Sequence, residues 1–178
     1  MKLYIQAGML YLLYLLYLLY SMQPAWAERA SVEYQVKAAF LFNFISFTEW
    51  PDGLGNTLNL CVYGPDPFDE DLDKLQGRSV GGRNLVVRRT NNVDTLVNCQ
   101  IVFITRPMIA NLPRVLDSVK GKPALTIADT PGAAREGVAL NMLADQNKVA
   151  FEANLDATRR HGLNLSSKLL RLAREVFQ

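Results

Sequence analysis

The residues of this chain that could perform chemistry are few and stand apart in the sequence. His161 is the only histidine, so it has no second imidazole at metal-ligand spacing, and neither cysteine lies near it. Ser166 and Lys168 resemble a serine–lysine nucleophile pair, but a serine before a helical pattern is better explained as an N-cap. These residues predict a protein that is not an enzyme and that has no catalytic site, cofactor or metal.

Two loops have some of the composition of a ligand site. Residues 77–83 (GRSVGGR) are glycine-rich, but they lack the Gly-Lys-Ser/Thr ending of a phosphate loop and lead into a strand, which favours a turn. The loop at 129–132 follows the carboxyl end of an apolar strand, where open α/β sheets bind small molecules. It supports an alternative function as a small-molecule-binding protein that feeds a sensor.

Apolar strands alternate with short helices through the middle of the chain, and two strands then form a hairpin. This order predicts the α/β class, as a single three-layer sandwich. The sheet is expected to be mostly parallel, with an antiparallel C-terminal hairpin and helices on both faces. The predicted strands are 58–63, 85–89, 101–105, 124–128, 138–143 and 148–155, and the predicted helices between them are 68–75, 93–97 and 107–119.

Apolar helices are also predicted before and after this region. The first covers residues 31–50 and ends before Pro51. It is apolar on several sides, which indicates either a core helix or a helix that presents part of its surface to a second subunit or client. At the other end, a short helix at 156–160 stops at Gly162. A second amphipathic helix is then expected, since Leu165, Leu169, Leu172 and Val176 recur at helical spacing.

The first 27 residues have the pattern of a secretory signal peptide. Lys2 precedes a long apolar run, and Ala25-Trp26-Ala27 is a small-x-small cleavage site. We therefore expect residues 1–27 to be removed after Ala27 and residues 28–178 to form one exported domain in the periplasm; an uncleaved anchor is the alternative. The mature chain has 18 Lys and Arg against 17 Asp and Glu, which gives no electrostatic basis for binding nucleic acid.

The two cysteines lie beyond the signal peptide and would enter an oxidising compartment. Cys61 is within a predicted strand and Cys99 directly precedes another. If these strands are neighbours in the sheet, a disulfide would close a loop of about 38 residues and stabilise the fold by roughly 3–4 kcal/mol. Two buried free thiols are the alternative.

Three stretches of the chain resemble one known family, the YfiR family. They are residues 34–51 (YQVKAAFLFNFISFTEWP), 77–89 (GRSVGGRNLVVRR) and 151–173 (FEANLDATRRHGLNLSSKLLRLA), and the resemblance covers about residues 31–176. It implies a periplasmic regulator that is not an enzyme. Such a repressor contacts the periplasmic sensor domain of a membrane-anchored diguanylate cyclase and lowers cyclic-di-GMP. It also implies a homodimer and sequestration by an outer-membrane lipoprotein.

The resemblance also suggests which residues contact the partner. The family's contact surfaces involve the C-terminal strand-helix region, and each candidate has an alternative role in the core or at a helix end. Carried onto this chain, the predicted partner-binding residues are Phe151, Glu152, His161, Leu163, Leu165 and, less directly, Trp50.

Overall fold

The computed structural model describes residues 11, 12, 14, 25–145 and 148–178. The chain divides into two units, Met1–Val32 and Glu33–Gln178. In the first unit, Tyr11, Leu12 and Tyr14 are helical and exposed. Most of the predicted signal peptide, residues 1–27, falls outside the described residues, and its cleavage after Ala27 stays a prediction. Within the described ranges, no helix combines the length and the apolar character needed to cross a bilayer.

The elements of the chain are short apart from the first helix. The α-helices of the described residues are α1 (Ala25–Ser46), α2 (Glu70–Asp73), α3 (Leu112–Ser118), α4 (Leu155–Arg160) and α5 (Ser167–Leu170), with 3-10 helices at Val93–Asn98 and Arg106–Asn111. The strands are β1 (Thr48–Glu49), β2 (Thr57–Tyr63), β3 (Ser79–Val80), β4 (Arg83–Thr90), β5 (Ile101–Ile104), β6 (Leu125–Ala128), β7 (Leu140–Asp145), β8 (Lys148–Asn154), β9 (Asn164–Leu165) and β10 (Glu175–Phe177).

Eight strands of the described chain form one sheet in the order β10-β8-β7-β6-β5-β2-β4-β3. The neighbours from β7 through β6, β5 and β2 to β4 run parallel, and β10 runs parallel to β8. The pairs β7–β8 and β3–β4 are antiparallel. The prediction of a mostly parallel sheet with an antiparallel hairpin near the C-terminus is confirmed.

The sheet separates two apolar cores, because side chains alternate between its faces along each strand. In β5, Ile101 and Phe103 belong to the first core, and Val102 and Ile104 belong to the second. Helix α1 buries Leu41, Phe44 and Ile45 in the first core, whereas the second core is covered by helix α3 and the 3-10 helix Val93–Asn98. The predicted helices on both faces are therefore confirmed.

The prediction of a second amphipathic helix at the C-terminus is wrong. The segment forms strand β9, the single-turn helix α5 and strand β10 instead. Strand β9 pairs with β1, and β10 pairs with the free edge of β8, where the Arg174 amide donates to the carbonyl of Phe151 at 2.8 Å. These long-range backbone hydrogen bonds outweigh the helical preference that the leucine spacing indicates. As a result, Leu172 is 74% exposed.

The predicted disulfide is present. Strands β2 and β5 are parallel neighbours, and Cys61 in β2 is bonded to Cys99, with their Cα atoms 6.0 Å apart. The bridge joins two segments that are already adjacent in the sheet, so it fits the fold without displacing either strand.

Candidate functional site

A small pocket lies beside helix α4, strand β9 and helix α5, and two of the predicted partner-binding residues line it. Its volume is about 90 Å³, smaller than the cavities that hold metabolites and of the order of one side chain. Leucines supply much of the wall, and the charged residue among them is Arg159, whose side chain is exposed. The lining residues are Leu155, Thr158, Arg159, Leu163, Asn164, Leu165 and Leu170.

The end of helix α4 gives the pocket its shape. Gly162 has a φ of +66°, a conformation that side chains disfavour, and it lets the chain reverse there. The Gly162 amide donates to the carbonyl of Arg159 at 2.9 Å, and the Leu163 amide donates to the carbonyl of Thr158 at 3.2 Å. This paired bonding is the usual ending of a helix with a C-terminal glycine. It turns Leu163 inward to form one wall of the pocket.

The predicted contact residue Phe151 lies in the core. Its ring is 4.9 Å from the ring of Phe44 and 6.1 Å from that of Phe40, both in edge-to-face geometry, and it is 1% exposed. Leu163 and Leu165 are buried as well, although they border the pocket. Partner contact by these residues stays a prediction. Their burial means that a partner would meet the pocket that they shape, and would not touch the Phe151 ring in this structure.

The other three predicted residues have separate neighbours. Glu152 accepts a hydrogen bond from the side-chain amide of Asn141 at 3.0 Å. The Nδ1 of His161 lies 2.9 Å from the carbonyl oxygen of Lys122, and the indole nitrogen of Trp50 donates to the carbonyl of Ile45 at 3.0 Å. The pocket thus contains two of the six predicted residues, and the other four lie outside its lining.

His161 also lines a larger, open groove beside helices α3 and α4. The volume of the groove is about 520 Å³, and its walls carry both carboxylates and cations. Such a surface has the size and the polar groups to hold a small charged molecule. The lining residues are Leu116, Asp117, Lys120, Gly121, Glu136, Gly137, Ala157, Arg160 and His161.

A cluster of charged side chains surrounds Asp129, in the loop where the sequence predicts a small-molecule pocket. The carboxylate of Asp129 is buried, and its Oδ2 lies 2.6 Å from the Nζ of Lys37, which is also buried. The same oxygen accepts from the Tyr34 hydroxyl at 2.8 Å and lies 3.2 Å from the Nε of Arg106. Glu33 completes the cluster through ion pairs with Lys37 and Arg106.

The Tyr34 phenol is half-buried and hydrogen-bonded to Asp129, and both features act on its pKa. Burial, and then the charge and hydrogen bond of Asp129, raise the pKa of the Tyr34 phenol well above its ordinary value. The phenol therefore stays a hydrogen-bond donor to Asp129 at any physiological pH. The described residues form no group of three or more His, Cys, Asp or Glu side chains able to hold a metal ion.

Sequence reasoning missed the role of Lys37, although a signal was present. Leu41 and Phe44 follow Lys37 at positions i+4 and i+7, so helical spacing places all three on the face that is buried. A lysine on a buried helix face requires a carboxylate partner. The chain supplies Asp129, 92 residues away.

The described chain forms an α/β sheet covered on both faces, and a small apolar pocket sized for a side chain lies beside helix α4. The YfiR/HmsC-like family model matches residues 34–174, and the chain belongs to this family.

The fold also resembles that of a solved structure. A crystal structure of the ABC domain in complex with L-Trp from Streptococcus pneumonia superposes with a TM-score of 0.51 at 10% sequence identity. The match covers 68% of this chain and spans about half, 55%, of that chain. At this identity the likeness concerns the fold alone.

Proposed function

We propose that this protein is an exported repressor that inhibits a membrane-bound diguanylate cyclase through the cyclase's periplasmic sensor domain, and so lowers cyclic-di-GMP. The observation that carries the proposal is the YfiR/HmsC-like match over residues 34–174, which points to a periplasmic regulator of diguanylate cyclase and away from an enzyme. Repression requires only that the protein bind the inactive conformation of the cyclase more tightly than the active one.

The pocket beside helix α4 is the proposed docking site on this chain. Leu163 and Leu165 give it an apolar wall, and its volume suits one apolar side chain of the partner. Arg159 lies at the same pocket with an exposed guanidinium, so a carboxylate next to the inserted side chain would be favoured. A buried apolar anchor with a charged neighbour is a common arrangement at the centre of protein interfaces.

Export, dimerisation and sequestration complete the proposal. Export uses residues 1–27 with cleavage after Ala27, the repressor acts as a homodimer, and an outer-membrane lipoprotein sequesters it. Export is inferred from the signal-peptide pattern of residues 1–27, whereas dimerisation and sequestration are carried over from the family resemblance.

The test is the cyclic-di-GMP level of the native host after deletion of the gene. We expect a rise that the full chain reverses and that a chain lacking residues 1–27 does not. Arg159→Glu should fail to restore repression, whereas Arg114→Glu should restore it, since Arg114 is exposed on helix α3 and outside the pocket lining. An unchanged cyclic-di-GMP level across several growth states would refute the repressor function.

The groove beside helices α3 and α4 supports a second candidate, a small-molecule-binding protein that feeds a sensor. Glu136 and Arg160 both line the groove, so a ligand with groups of both charges would match it. A thermal-shift screen of the mature chain should then find a stabilising compound, and Arg160→Ala should remove the shift. If no compound in a broad metabolite set stabilises the chain, this candidate fails.

A further inference from the structure

The carboxyl edge of the parallel sheet contains the place where folds of this type bind ligands. From β2 the chain crosses to β4 on one side and then returns to β5 on the other, so the connections diverge between β2 and β5. In open α/β sheets, small molecules bind in the crevice beyond the carboxyl ends of the strands at this position.

In this chain the crevice is filled by its own residues. Gly64, at the end of β2, packs so closely against Thr105 and Met108 that a β-carbon there would collide with both side chains. Helix α1 then covers the edge: the Tyr34 ring meets Phe68, after β2, with 5.3 Å between centroids. The hydroxyl of the same tyrosine reaches Asp129, after β6, so one side chain spans the ends of β2, β5 and β6.

The ammonium of Lys37 is bound at this edge as a ligand's ammonium would be. It lies 2.6 Å from Oδ2 of Asp129, pairs with Glu33 and stands 4.3 Å from the centroid of the Tyr34 ring. A carboxylate, an aromatic face and exclusion of water are the features by which proteins bind ammonium groups. The second carboxylate oxygen of Asp129 is buried and has no hydrogen-bond partner among the described residues.

The cluster joins helix α1 to the carboxyl edge of the sheet. Lys37 and Glu33 come from α1, whereas Arg106 begins the 3-10 helix after β5 and Asp129 directly follows β6. Asp129 without Lys37 would keep Arg106 as its cationic neighbour, and the Arg106 side chain is 49% exposed. Lys37 therefore supplies the buried positive charge that neutralises the Asp129 carboxylate.

We propose that Lys37 is an internal ligand: its ammonium occupies the crevice in which this fold would bind a small molecule, and it holds helix α1 there. The edge of the sheet is thus a closed primary-ammonium site. Removing the Lys37 side chain would open it to external alkylammonium ions. This inference concerns the crevice alone and does not depend on the proposed repression of a cyclase.

The test is chemical rescue of Lys37→Ala, with the mature chain and n-propylammonium chloride as the probe. The substitution should lower Tm by about 6–20 °C, as expected for a broken buried ion pair in a chain of this size. Propylammonium should raise the Tm of Lys37→Ala in a saturable manner, whereas the wild type and Lys37→Ala/Asp129→Asn should not respond. Tetramethylammonium chloride, which has no N–H donor, is the matched salt control.

Two results would overturn the proposal: no rescue of Lys37→Ala, or an equal Tm rise in all three proteins. If Lys37→Ala does not fold, amine labelling of the wild type decides. Lys37 should react about 100-fold more slowly than Lys74 if its reaction requires local opening of the fold, since the Lys74 side chain is 66% exposed. Equal labelling rates at the two lysines would show that Lys37 is not enclosed.

Discussion

The ammonium of Lys37 lies 2.6 Å from the Oδ2 of Asp129, and both side chains are fully buried. The two residues are 92 positions apart, so the pair ties the first helix to the end of strand β6. Loss of one partner from a buried pair of this kind is strongly destabilising, because the other charge remains in a desolvated environment.

Asp129→Asn should therefore reduce the free energy of unfolding by about 3–5 kcal/mol, measured by urea denaturation at neutral pH. The buried ammonium of Lys37 would keep only Glu33 as an anionic partner. Asp156→Asn is the matched control: its carboxylate is exposed and 4.0 Å from Arg159, so a change of about 0–1 kcal/mol is expected. Equal losses in the two variants would contradict a structural role for the cluster.

Tyr34 should make the stability of the protein fall in alkaline solution. Its pKa is raised in the folded chain, first by burial and then by Asp129, so the folded state keeps the phenolic proton when the unfolded chain releases it at about pH 10. Below pH 10 both states are protonated and the residue adds no pH dependence. Above it, the folded state binds more protons than the unfolded state, and stability falls as pH rises.

Tyr34→Phe should remove this alkaline decline while lowering stability at pH 7 by about 1.5–3 kcal/mol, the usual value of a hydrogen bond to a charged group. Urea midpoints measured from pH 7 to 10.5 for the two proteins give both quantities. A parallel decline in wild type and variant would assign the pH dependence to other groups.

The bridge between Cys61 and Cys99 should stabilise the fold by about 4 kcal/mol, since it closes a loop of 38 residues. Replacing both cysteines by serine should lower the free energy of unfolding by that amount, and reduction of the wild type should have a similar effect. The sheet should survive in both cases, because Leu60 and Ile101 remain paired in β2 and β5. An unchanged midpoint would mean that the unfolded chain is not constrained by the bridge.

Much of the sheet could be predicted from the sequence, because its signals are local. The segment Ile101–Ile104 is short, apolar and β-branched, as expected of a central strand, and the break at residues 145–147 indicated the hairpin of β7 and β8. The C-terminus could not be predicted in the same way. Leu172 and Val176 have helical spacing, yet the edge of β8 is available to pair with Val176 and determines the structure.

The candidate site could be predicted only in part, for a related reason. Phe151, Leu163 and Leu165 belong to the most distinctive motif of the chain, and all three are buried. The pocket that Leu163 and Leu165 border depends on the turn at Gly162 and on the position of α5, which are tertiary features. The partner of Lys37 could not be predicted from local sequence patterns either, because the fold brings Asp129 to it from 92 positions away.

The final prediction separates folding from partner binding at the proposed site. Phe151→Ala should cost about 3–5 kcal/mol of stability through loss of the aromatic contacts with Phe40 and Phe44. The fraction that folds should bind the cyclase sensor domain with near wild-type affinity, because the ring is buried. Arg159→Glu should do the opposite, changing stability by about 0–1 kcal/mol and weakening binding roughly tenfold.

Urea denaturation and a binding titration on the same preparations measure both effects, with Arg114→Glu as the charge-matched control. If the folded Phe151→Ala protein binds tenfold more weakly, strand β8, which carries Phe151, contributes to the interface. Arg159→Glu with unchanged affinity would remove the pocket rim from the interface. The half-buried residues Glu152, His161 and Trp50 would then remain as the candidates.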